Sequence, residues 1–507
     1  MIKKIKTYIV LAAVALSVSS CLDKYPENAI PSDQAIQTVN DVDQAVIGIY
    51  DAFKSPALYS GNLTLLPDIQ TDLVYGVNGN TGVYGSIWRW NDILSNDKDI
   101  ESVYAALYEV IGRCNFLFDN IEKVRAKVTE DKDLDKLAQC SGEAHFARAL
   151  AYAELIKLFC KPYESDEEAA NELGVVISRH YRGNEPMVRA SLKDSYQFVL
   201  DELELALEGL ELEEDYDPAA KPLFDSPYFN EYTVHALRAR VALYMKKWDD
   251  AVKYSTKLID SKLYQLSSCT NQISQGVSYY KYMWTNDQAA ETIWKIAFTP
   301  TSFGGALGKV FFNYDYSTFR PDYVPASWVL GLYEASDLRY ETFFQTMTTG
   351  YSHHLSWPLL IKYFGNQQFT QQYGILHVSM PKVFRLSEQY LIRAEAYCNL
   401  NKFGEAGKDL TKLRSARMSS SGNIVVNKDN WLDVISDERV RELYMEGFRL
   451  QDLKRWHKGF ERKPQAQSLA VGSSLKVEKD DPMFVWPIPL HELEAPGSQI
   501  LPNESNK

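Results

Sequence analysis

The chain has 507 residues, a hydrophobic content of 45%, a charged content of 24% and a net charge of −13. Those proportions provide for a packed core, and the acidic balance argues against nucleic acid and anionic lipid surfaces as ligands. Aromatic residues are in excess, with 32 Tyr, 22 Phe and 10 Trp. Many lie outside amphipathic stretches, where surplus Tyr and Trp suggest recognition surfaces.

Lys3, Lys4 and Lys6 open the chain, an apolar stretch runs from Tyr8 to Leu16, and Ser17, Val18, Ser19 and Ser20 lead to Cys21. A basic start, a short apolar core and small residues make a secretory signal. The apolar core falls far short of the ~20 residues that span a bilayer as a helix. Small residues followed at once by a thiol fit a bacterial lipobox, so residues 1–20 are expected to be a lipoprotein signal peptide and Cys21 the lipidated residue. No later segment is apolar enough to span a membrane. Five cysteines remain, Cys114, Cys140, Cys160, Cys269 and Cys398. An odd number without regular spacing is no disulfide framework, and there is no zinc-type Cys/His spacing. Buried structural thiols are the expectation.

Residues 21–40, with Pro26 and Pro31, form a polar tether. Asp41–Phe53 is expected to be helical. Residues 62–90 are rich in loops and carry Gly76, Gly79, Gly82 and Gly85. Apolar residues at three- and four-residue spacing then predict helices over Asp97–Val128, Leu134–Phe159, Leu192–Leu210, Glu231–Lys246 and Asp249–Ser261, with Pro162 stopping the second. Residues 262–380 change character: Gly, Pro, Tyr, Phe and Trp abound and helical period is weak. Helices return at Arg385–Leu400, Lys402–Arg417 and Ser436–Gly447. From Lys458 onward the chain is irregular.

Two helical pairs repeat a spacing. Ala239 is followed by Trp248 and Ala251, and Ala394 by Phe403 and Ala406, at the same intervals. Small residues let helices approach and the aromatic plugs the turn, which is the logic of tetratricopeptide-like pairs.

Several motifs in fixed order resemble the SusD/RagB family of outer-membrane nutrient-binding lipoproteins. They are Cys21-Leu-Asp-Lys-Tyr-Pro26, Asp43–Tyr50, Glu143-Ala-His-Phe-Ala-Arg148 with Ala151-Tyr152, Ala236–Tyr244, and Arg393–Tyr397. They continue with Asp437–Leu443, Glu446–Arg449, Asp452–Trp456, Trp486-Pro-Ile-Pro489 and Leu501-Pro-Asn503. Gly112-Arg-Cys-Asn115 and Cys160-Lys-Pro-Tyr163 depart from the family's usual phrases. The resemblance implies a mainly α, SusD-like fold: four tetratricopeptide-like helix pairs as scaffold and an irregular, loop-rich ligand-binding face. In residues, it implies one domain over 41–507, with scaffold at about 41–261 and 385–457, a ligand-binding insertion at about 262–384 and an irregular segment at 458–507. It also implies a surface-exposed, lipid-anchored outer-membrane protein that is not an enzyme, needs no cofactor, captures an oligosaccharide or sometimes a peptide, and partners a SusC-like TonB-dependent transporter.

Three aromatic clusters are the candidate ligand-binding residues: Tyr75, Tyr84, Trp88 and Trp90; Tyr280, Tyr282 and Trp284; Phe312, Tyr314 and Tyr316. A flat ring covers the C–H face of a sugar, while nearby Asn78, Asn80, Asn91, Asn313, Asp315 and Arg320 can pair with its hydroxyl rim. The competing reading is core packing, with residues 279–284 as a strand that puts Tyr280, Tyr282 and Trp284 on one face. The run Asp437–Trp456 places Glu438/Arg441, Arg439/Glu442 and Glu446/Arg449 at i,i+3, which reads as a structural ion ladder on one helix ending at Gly447 in preference to acid–base catalysis. His353-His354 has no acidic or cysteine partner at ligand spacing. His491-Glu492 lacks the second His of a zinc motif, and there is no GxSxG elbow. A lipid-anchored glycoside hydrolase would need alternating strands and helices, and a pure assembly scaffold would not need the aromatic loops.

Overall fold

The structure, a computed structural model, describes residues 34–183, 186–212, 216–313, 318–351, 356–463, 470 and 472–506. Cys21 and the signal lie outside the described residues, as do Tyr314, Asp315, Tyr316, His353 and His354.

The fold is mainly helical. Helix α1, Val39–Ala52, opens with a reciprocal cap: Asp41 N–H donates to the Thr38 hydroxyl, and the Asp41 carboxylate accepts from Thr38 N–H. This satisfies donors that a helix start leaves open. Helix α2, Asn62–Ile69, is buried almost throughout. Two long helices follow, α3 over Lys98–Arg125 and α4 over Asp131–Phe159. Asp97 caps the first through Asp99 and Ile100 N–H, which is why the pattern beginning at Asp97 is helical only from Lys98. Helix α5, Leu192–Leu210, lies against α4 at close range. A Cβ on Gly209 would stand 2.1 Å from the Ala138 carbonyl oxygen, so only glycine permits this approach.

The two repeated pairs are α6 (Glu231–Tyr244) with α7 (Trp248–Ser261), and α9 (Leu386–Asn399) with α10 (Phe403–Arg417). Their turns match closely. Lys246 and Asn401 both take positive φ, 56° and 59°. The next residue donates back five positions, Lys247 N–H to Ala242 and Lys402 N–H to Tyr397. This is the geometry of a Schellman-type helix end. Ala239, Ala251, Ala394 and Ala406 are fully buried, and Trp248 and Phe403 pack half-buried beside them.

Between these pairs the chain forms short helices and two-stranded antiparallel ribbons. One joins Val74–Gly76 to Tyr323–Pro325, another Phe344–Thr348 to Ser356–Leu360, and a third Thr292–Lys295 to Lys382–Arg385. Residues 279–284, the sequence's candidate strand, belong instead to helix α8, Tyr279–Asn286. The Ser278 hydroxyl accepts from Lys281 N–H to start it, and Tyr280, Met283 and Trp284 share its buried face at helical spacing.

Helix α11, Trp431–Leu443, ends four residues before Gly447, and helix α12, Arg449–Arg455, follows it. Of the expected i,i+3 pairs only Glu438–Arg441 forms, at 2.8 Å. Arg439 pairs with Asp452 at 2.6 Å, and Arg449 with Asp72 at 2.9 Å. Because the helix stops at Leu443, Glu446 and Arg449 share no helical face. Glu442 is fully buried among Arg339, Arg385 and Arg417 at 2.9–3.1 Å. Arg385 and Arg417 also share Glu291, at 2.8 Å each. These guanidiniums hold the Glu442 carboxyl well below the usual range despite its burial.

All five described cysteines are free and buried. Burial pushes the thiols of Cys114 and Cys269 up to about 12. Among the described residues no helix is long and apolar enough to cross a membrane.

Candidate ligand-binding face

The glycine-bearing loop after Val74 is held from below by one segment. Val77 N–H donates to the Asp322 main-chain carbonyl at 2.9 Å, and Thr81 N–H to the Asp322 carboxylate at 2.7 Å. The Tyr323 hydroxyl donates to the Val83 carbonyl at 2.7 Å. The second carboxylate oxygen of Asp322 accepts from the Asn313 side chain at 2.8 Å. Asp322 is buried, and its two oxygens thus fix two segments of the face at once.

A third segment joins them. Gly350 N–H donates to the Phe319 carbonyl at 2.8 Å, the Arg320 guanidinium reaches the Gly350 carbonyl at 3.3 Å, and the Tyr351 hydroxyl donates to the Pro321 carbonyl at 2.9 Å. The Tyr351 ring edge lies 4.0 Å from where a Cβ on Gly79 would stand. A fourth segment arrives at Gly76, whose carbonyl accepts from Ala470 N–H. Asn78 and Arg320 are exposed, and Asn80, Tyr84, Asn313, Phe319 and Tyr351 are half-buried. The face therefore offers ring surfaces beside amide and guanidinium donors. Burial first, with the Asp322 charge next, pushes the Tyr351 hydroxyl up to about 12, so it stays a hydrogen-bond donor at neutral pH.

The aromatic residues singled out in the sequence take different places. Trp90 sits between Phe460 and Phe484, centroids 5.3 and 5.0 Å away, and its indole N–H donates to Asp481. Trp88 donates to the Val74 carbonyl and lies under the Arg462 guanidinium. The Tyr75 hydroxyl exchanges hydrogen bonds with the main chain of Lys463. Tyr280 packs beneath Arg417 at 4.2 Å, and Trp284 meets Lys362 at 4.1 Å and Lys382 at 4.8 Å. Phe312 stacks on His377. Protein atoms occupy the ring faces of these six buried residues. A core shielded from water repays an aromatic face more fully than an exposed loop does, and cation–π contact adds to that. Tyr84 and Tyr282 are half-buried, their hydroxyls turned to Asn62 at 2.8 Å and Gln288 at 3.4 Å. Tyr84 belongs to the face.

The Asn313 amide donates to the Arg320 carbonyl at 3.0 Å, and Asn80 lies in the loop that Asp322 holds. Thr81, Phe319, Asp322 and Tyr351 join them without a sequence signal, because what assembles them is long-range hydrogen bonding to main-chain atoms and not periodicity. The helix start at Ser278 did have a signal, a capping serine three residues before Lys281.

A helical scaffold carrying a loop face of rings and amides defines a class, and comparison with known proteins gives the family. Residues 343–495 match the profile of the SusD family, and residues 21–243 match a second profile described as starch-binding, associating with outer membrane. The chain belongs to the SusD family. It is 22% identical to a SusD-like protein of Formosa agariphila, covering 89% of this chain and 90% of that one. A SusD superfamily protein of Bacteroides thetaiotaomicron has the same fold, with a TM-score of 0.77 and 24% identity over 92% of this chain and 99% of that one. So has a SusD-like carbohydrate binding protein of Bacteroides vulgatus, at 0.72 and 19% over 91% of this chain and 97% of that one.

Proposed function

We propose that this chain is a glycan-binding lipoprotein of the outer membrane, held by a lipid on Cys21. It captures oligosaccharide at its surface and passes it to a SusC-like TonB-dependent transporter. The observation that carries the reading is the loop face around Asp322: half-open phenol and phenyl rings beside Asn80, Asn313 and Arg320, fixed in place before any ligand arrives. Sugar rings need this pairing of flat apolar surface and directional donors, and pre-ordering lowers the cost of binding. The carbohydrate binding recorded for the Bacteroides vulgatus relative supports it. So does the outer-membrane association in the second profile's description. Binding without turnover is the expected chemistry, since the buried carboxylates of the C-terminal run are each tied to guanidinium groups.

The test is a glycan and peptide array followed by calorimetry on the best binder. Tyr351→Ala and Arg320→Ala are each expected to weaken glycan binding by about 1–2 kcal/mol. Unchanged affinity in both variants removes this face from the site, and binding of peptides in place of glycans overturns the substrate class.

A further inference from the structure

A second cavity lies away from the loop face and shares none of its residues. It measures about 270 Å³ and is lined among others by Tyr104, Tyr108, Arg182, Met187, Glu492 and Ile500. Tyr104 and Tyr108 stand one turn apart on α3, with ring centroids 4.8 Å apart. The Tyr108 hydroxyl donates to the Val176 carbonyl at 2.9 Å, which locks its half-buried ring. The opposite wall is pinned as well. Ser178 N–H donates to the Tyr152 hydroxyl at 2.8 Å, the Asn115 amide donates to the Ser178 carbonyl at 3.1 Å, and Gln499 N–H donates to the Met187 carbonyl at 3.1 Å. The cavity is therefore preformed.

Two charged groups of opposite sign line it. Arg182 holds a left-handed backbone, φ 51°, a strained state for a residue with a side chain that persists only where the surroundings impose it. The Glu492 carboxylate is close enough that, after burial, its charge helps raise both tyrosine hydroxyls. A carboxylate acceptor and a guanidinium donor beside phenol rings suit the vicinal hydroxyls and C–H face of a pyranose. The volume falls just below the ~300–1,000 Å³ of drug-sized sites, which suits one ring and not a chain.

We propose that this cavity is a second saccharide site, taking a single pyranose unit, with Tyr108 as platform and Glu492 and Arg182 on its hydroxyls. It rests on the glycan-binding reading but not on the loop face. The probes are the methyl glycosides of glucose, galactose and xylose, followed by saturation-transfer NMR on the full chain carrying Tyr351→Ala and Arg320→Ala. At least one probe is expected to keep its signal there, and Glu492→Gln with Arg182→Ala, the first half-buried and the second exposed, to weaken it about tenfold. No signal in the doubly substituted chain, while the parent chain binds glycans, sinks this site and leaves the proposed function standing. Binding unmoved by the Glu492 and Arg182 changes overturns it equally. A parent chain that binds no glycan fails both.

Discussion

The seam between α6 and α7 and the run Asp437–Trp456 are both buried, yet they are sealed in opposite ways. The pair closes by shape: alanines at the contact, an aromatic plug at the turn, and one left-handed residue to reverse the chain. The C-terminal run closes by compensation. Glu438, Glu442 and Asp452 are locked to arginines, several of them from distant parts of the chain. Shape sealing depends on volume, although at the α6–α7 seam it leaves His235 beside Lys257 able to titrate, held down to about 4 by burial first and that charge next. Compensation depends on every partner being present, because a buried charge left alone keeps its desolvation cost.

The largest expected effect comes from breaking the compensated region. Glu442→Ala strands Arg339, Arg385 and Arg417 and should cost about 3–5 kcal/mol of stability in denaturant titration. A loss under 1 kcal/mol would show that the node is not what holds the insertion to the scaffold. Next, Ala251→Leu overpacks the α6–α7 contact and should cost about 1–3 kcal/mol, equally at pH 8 and pH 9, where His235 stays neutral. A strongly pH-dependent cost would erase the distinction between the two regions.

The smallest effect sharpens it. Asp68 accepts from Gly447 and Arg449 N–H at 3.0 and 2.8 Å, and burial, against those two bonds, pushes its carboxyl up to about 7. The folded chain therefore holds a proton there that the unfolded chain releases near pH 4, and stability falls as pH rises from about 4 to 7. Asp68→Asn does not titrate. Its stability relative to the parent should improve by about 1–2 kcal/mol between pH 5 and pH 6, read from paired thermal melts. A difference constant with pH would mean that Asp68 is ionised throughout.

These two modes of sealing also explain what the sequence made legible. The helices of the scaffold follow from apolar period, and the Leu192–Leu210 helix was predicted to the residue. The α6–α7 and α9–α10 pairs were visible from three residues each. The insertion was recognisable only as a change in composition. Trp88, Trp90, Tyr280 and Trp284 looked like open platforms because composition does not tell a buried ring from an exposed one; what buries them is Phe460, Phe484, Arg417 and Lys362, all far along the chain. In the same way, Glu442 and Arg439 are at ladder spacing, and each is claimed by a better buried partner. Asn80, Asn313 and Arg320 could be named from sequence, but Asp322, which organises them, could not.

The Glu442 node has a consequence before the chain has folded at all. In the native state it interrupts the apolar interior with charge. In the extended chain the same residues flank Leu443-Tyr444-Met445 with Arg441 and Glu442 on one side and Glu446 on the other. Charges placed beside an apolar stretch act as gatekeepers against self-association. A segment that becomes one of the most buried in the molecule is thus soluble while it waits for its partners, which come from as far away as Glu291 and Arg339.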